Sequence, residues 1–82
     1  MPSDQLIYNI AEWLAYNRDA VLLTIGEKEN KEMLLDAVQY KTAEYFRQHK
    51  IEDVLAAFDD ERVLLVFDFY YVKKRGTNEL SN

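Results

Sequence analysis

Fifteen aspartates and glutamates, ten lysines and arginines, a single histidine and no cysteine are what this 82-residue chain can bring to chemistry. A catalytic site needs an acid, base, nucleophile or metal held in a water-poor pocket with its ionisation tuned to the task. Without cysteine, disulfides, thiolate zinc sites and cysteine nucleophiles are excluded. His49 lies between Gln48 and Lys50 at an expected helix end, where an imidazolium suits the helix dipole and faces water. Asp59, Asp60, Glu61 and Asp68 are near enough in sequence to suggest a site for a hard cation. They lack the alternating oxygen donors, central glycine and terminal glutamate of a calcium loop, so a solvated turn explains the cluster better. Neither Gly26 nor Gly76 belongs to a glycine-rich turn leading into a helix, so a phosphate-binding loop is not available. The expectation is a non-enzyme with no catalytic residue, metal or cofactor.

What remains is recognition. Tyr8, Trp13, Tyr16, Tyr40, Tyr45, Tyr70 and Tyr71 supply large rings with polar tips, a type favoured at interface hot spots. Trp13 and Tyr45 fall on expected core stripes. Tyr8, Tyr16 and Tyr40 do not, and are the foremost contact candidates, joined by Tyr70 or Tyr71 according to which way their segment faces. The stretch from Phe67 to Arg75 interleaves aromatics with Lys73, Lys74 and Arg75, the combination single-strand binders use to stack bases and neutralise phosphates. Net charge argues against that use. The chain carries -5 overall, and setting aside those three bases leaves seven against fifteen acids, or -8, which repels a phosphate backbone. The acidity admits the opposite idea, a nucleic-acid mimic in which Glu52, Asp53, Asp59, Asp60 and Glu61 imitate phosphates and block a DNA-handling enzyme. Lys28, Lys31, Lys41 and Arg47 dilute such an array.

The elements that must position these residues follow from hydrophobic spacing. Leu6, Ile7, Ile10, Trp13 and Leu14 mark one stripe of a helix from about Asp4 to Asn17, with Ser3 as its N-cap. Ala20 to Ile25 is a short apolar run closed by Gly26, whose length suits a strand, a short helix being the alternative. Residues 27–30 form a charged turn in which Asn30 caps the next element. Lys31 to about Gln48 has no glycine or proline and predicts the longest helix, with Leu34, Leu35, Val38, Tyr45 and Phe46 on one side. Ile51, Val54, Leu55 and Phe58 give a short helix ending at the acidic cluster. Val63 to Val72 is apolar at nine of ten positions, interrupted by Asp68. That pattern reads as a strand buried on both faces or covered by a partner, with a buried helix as the competing reading. Within such a strand Asp68 either points outward and guards an edge or marks a buried pair or a binding contact. Residues 77–82 are expected as a flexible tail.

These readings assemble into one α+β domain over residues 1–76, in the order helix, strand, helix, helix, strand, with the helices on one face of a small sheet. The alternative is a mostly helical bundle. Two strands make a marginal sheet, so a homodimer that completes it is expected. Hydrophobic residues at 49% and aromatics at 13% exceed what so small a core can hide, which again points to a partner. The opening Met1-Pro2-Ser3-Asp4 lacks a signal peptide's pattern and no apolar run is long enough to span a membrane. The expectation is a cytoplasmic protein, in the host cytoplasm if viral. Its predicted role is that of a small acidic protein-interaction domain acting on another protein as regulator, inhibitor, immunity factor or assembly subunit in a bacterial or viral system.

Overall fold

The computed structural model describes residues 2–25 and 30–81, and the side chains of 2–21 and 30–73. Five helices follow one another: α1 (Asp4–Tyr16), α2 (Arg18–Ile25), α3 (Lys31–Tyr45), α4 (Ile51–Ala57) and α5 (Glu61–Ser81). No strand occurs among the described residues. The α+β fold and its sheet are therefore corrected to an all-helical globule, and the helical alternative fits.

The two expected strands fail for identifiable reasons. After α1, the Asn17 carbonyl accepts a hydrogen bond from the Val21 amide at 2.8 Å, so helical pairing resumes after a single residue. Leu22 and Leu23 have no β-branch to oppose this, and run length alone cannot separate a short strand from a helix. In the second segment, Val63, Phe67 and Tyr70 are buried at spacings of four and three, which is a helical stripe. Asp60 starts that helix. Its carboxylate accepts from the Arg62 amide at 2.9 Å, satisfying one of the donors that a helix start leaves unpaired.

The other caps follow their sequence signals. Ser3 Oγ accepts from the Leu6 amide at 3.1 Å, and Asn30 Oδ1 accepts from the amides of Glu32 and Met33 at 2.8 and 3.2 Å. Of the turn expected at 27–30, only Asn30 lies among the described residues. The helical bounds of α5 run on through the stretch expected as a tail, where the side chains lie outside the described residues.

The core is built from Leu6, Ile7, Ile10 and Leu14 of α1, Leu34 and Val38 of α3, Val54 and Ala57 of α4, and Val63, Phe67 and Tyr70 of α5, with Val21, Phe46 and Phe58 between them. Thr42 is buried with them and bonds its own helix, Oγ1 donating to the Val38 carbonyl at 2.7 Å, so its hydroxyl costs little. The Tyr70 hydroxyl has no such partner among the described residues.

Candidate protein-docking face

The last turns of α1 and α3 come together at their C-terminal ends, and each delivers a ring. Trp13 of α1 and Tyr45 of α3 stack with centroids 4.8 Å apart and planes tilted by 30°. Phe46, the buried C-cap of α3, meets both edge-on, at 6.0 Å from Trp13 and 5.0 Å from Tyr45. Offset and edge-on contacts are the arrangements that the charge distribution of aromatic rings favours. Asn17 fixes the end of α1 here, its backbone and side-chain nitrogens both donating to the Trp13 carbonyl at 2.9 and 2.8 Å.

The stack forms a wall shared by two open hollows. One, of about 460 Å³, is lined by Trp13, Asn17, Ala20, Val21 and Tyr45, with Lys41, Glu44 and Arg47 on its rim. The other, of about 420 Å³, adds Asn9, Glu12, Tyr16, Phe46 and Gln48 to the same wall. Tyr45 is 62% exposed and Tyr16 82%. Apolar rings flanked by charged and amide side chains are the composition of an interface core with its polar rim.

The expected contact residues are distributed unevenly. Tyr16 borders the second hollow, while Tyr40 is exposed farther along α3. Tyr8 is exposed on α1 beneath the Arg62 guanidinium. Tyr70 is in the core at 2% exposure and Tyr71 is half-buried. Trp13 and Tyr45 were expected on core stripes: Trp13 is partly buried and packs against the core, whereas Tyr45 is exposed, and for it the expectation is corrected. Tyr45 is the last residue of α3, where the apolar stripe runs past the packed layer. The Lys41 and Arg47 rim had no sequence signal beyond charge.

Among the acidic candidates, Glu52, Asp59 and Glu61 are exposed and Asp53 and Asp60 partly so. Glu52 and Asp53 occupy the first turn of α4 and Glu61 that of α5, where the dipole favours anions. Asp60 is engaged. Its two oxygens accept from Arg62 Nε and Nη2 at 3.0 and 3.1 Å, and the Arg62 side chain and amide hold its carboxyl below the usual carboxylate range. Asp68 faces no strand edge. It pairs with Lys31 Nζ at 2.7 Å, tying the start of α3 to α5 with both groups about half exposed. His49 is exposed in the turn after α3, its ring 6.3 Å from that of Phe46.

Among the described residues, no three acidic or histidine side chains are placed to hold a metal ion, and no helix is long and apolar enough to cross a membrane. Compared with protein-family models, with characterised proteins and with solved structures, the chain matches none.

Proposed function

We propose that this chain is a small, acidic, non-enzymatic interaction domain of the cytoplasm that docks another protein across the Trp13–Tyr45 face. The observation that carries the reading is the aromatic stack between two open hollows, in which Tyr45 is exposed beside Tyr16 while Trp13 is partly buried. Leaving such rings in water forfeits the area term that would stabilise a fold this small, and aromatic residues in concave, polar-rimmed settings are where interfaces concentrate their energy. The rim of Lys41, Glu44 and Arg47 mixes both signs, which suits a protein segment with an apolar anchor and mixed flanking charges better than a polyanion. The engagement of Asp60 by Arg62 removes one carboxylate from a phosphate-like array.

The test is capture of a partner from the native host, followed by titration with variants. Trp13→Ala or Tyr16→Ala is expected to weaken binding by roughly 30-fold, the size of a hot-spot loss, with little dependence on salt. If added salt abolishes binding and neutralising Glu52, Asp53, Asp59 and Glu61 does the same while the ring variants bind normally, the aromatic reading fails and mimicry of a nucleic acid replaces it.

A further inference from the structure

Helix α5 is apolar on two opposite sides. At about 100° per residue, Val63, Phe67 and Tyr70 cluster around one direction, and Leu65, Phe69 and Val72 lie roughly 180° away. The first three are buried, whereas Leu65, Phe69 and Val72 are 61%, 55% and 67% exposed. A helix apolar all round is normally covered on all sides. Beside the stripe, Ala15, Arg18, Leu65, Val66, Phe69 and Tyr70 line a hollow of about 280 Å³, room for an inserted side chain. Glu61 and Gly76 continue the same line along the helix by their spacing, and glycine permits close approach of a second backbone.

We infer that this stripe is covered by a second copy of the chain, whose α5 crosses it antiparallel. The charge pattern selects both the occupant and the direction. Asp59 and Glu61 stand at the start of α5, where Asp60 is engaged by Arg62, and Lys73, Lys74 and Arg75 follow three turns later. Parallel copies would set acid against acid and base against base. Antiparallel copies with Leu65 opposite the partner's Phe69 bring Glu61 level with the partner's Lys73, so the apolar register and the charge register coincide. Opposed helix dipoles favour the same direction. This face is distinct from the Trp13–Tyr45 face, and the two readings stand or fall separately.

The test is sedimentation equilibrium on the full chain. A reversible dimer is expected, with Kd on the order of 1–100 µM for so narrow a stripe. Leu65→Asp and Phe69→Asp should each raise that Kd by roughly 30-fold or more, with unchanged helical circular dichroism. Ile51→Asp, an equally exposed apolar position on α4, should leave it unchanged. A wild-type chain that stays monomeric at roughly 1 mM, well above that range, overturns the inference, as does a dimer that withstands both substitutions. Because the chain has no cysteine, introduced thiols report the direction without interference. Oxidising a mixture of Leu65→Cys and Phe69→Cys chains should give mainly the mixed cross-link. A predominance of Leu65→Cys chains joined to each other would overturn the antiparallel arrangement, even if Leu65→Asp had failed to fold.

Discussion

The guanidinium carbon of Arg62 lies 4.6 Å from the centre of the Tyr8 ring. The same guanidinium holds both oxygens of Asp60 and approaches Asp4 Oδ1 at 3.7 Å. One side chain thus fastens the N-terminal turn of α1 to the N-terminal turn of α5, with the ring face and the carboxylates sharing its charge. The side-chain bond to Asp60, followed by that to Tyr8, holds the guanidinium above the usual arginine range. The counterpart is an Asp60 carboxyl lowered chiefly by its bond to the Arg62 side chain.

A depressed carboxylate stabilises the fold above its unfolded value, near pH 3.9, and that contribution is lost as pH falls through the lower folded value. Asp60→Asn keeps a capping side chain and removes the charge. It should lower Tm at neutral pH, and its Tm should converge with that of the wild type as the solution is acidified below about pH 4. Parallel acid curves for the two proteins would remove Asp60 from the acid sensitivity of the fold.

Tyr70 carries an opposite liability. Its hydroxyl is buried without a hydrogen-bond partner among the described residues. Desolvation pushes the phenol up to about 12, with Arg18 drawing it down and Asp19 adding to the rise. A phenol raised in the folded state contributes stability that is intact below its unfolded value of about 10 and lost as pH rises toward the folded value. Tyr70→Phe should therefore be more stable than wild type by about 1 kcal/mol at neutral pH. It should also lose less stability between about pH 10 and pH 12. Equilibrium denaturation at several pH values reads both effects.

Phe67 and Phe69 separate the strand and helix readings of the last apolar segment by experiment. In a strand, residues two apart share a face, and both rings would be core. In α5 they lie on different sides, Phe67 fully buried and Phe69 exposed. Phe67→Ala should cost about 3–5 kcal/mol, enough to bring so small a domain close to unfolding. Phe69→Ala, measured on dilute monomer, should cost less than about 1 kcal/mol. Comparable losses would restore the strand. The sequence could not decide this because nine apolar residues in ten erase both periodicities at once. A stripe facing the core and another facing away read together as uninterrupted burial.

The helices with one apolar stripe and a polar cap were legible. Ser3 and Asn30 stand where their residue type predicts, and α1 and α3 begin where those caps place them. Asn30→Ala should cost about 1 kcal/mol by loss of two backbone contacts, and Asn30→Gly only a few tenths. Thermal melts of the two variants check the pair. The proposed docking face was legible only in part. Its place off the apolar stripe of α1 identified Tyr16 as outward, but nothing local shows that Trp13 and Tyr45 meet, because that depends on how α1 and α3 align their ends.

Trp13 is the only tryptophan in the chain, so its emission reports the stack with Tyr45 directly. Tyr45→Ala uncovers one face of the indole. It should shift the emission to longer wavelength and cost about 1 kcal/mol through the lost ring contact. Tyr16→Ala removes a ring that is 82% exposed, and should leave emission unchanged and stability within about 0.5 kcal/mol. The two variants thereby divide the face into a part that maintains the fold and a part free to serve a partner. If Tyr16→Ala destabilised the chain as much as Tyr45→Ala, the ring would be structural, and its exposure would no longer support docking.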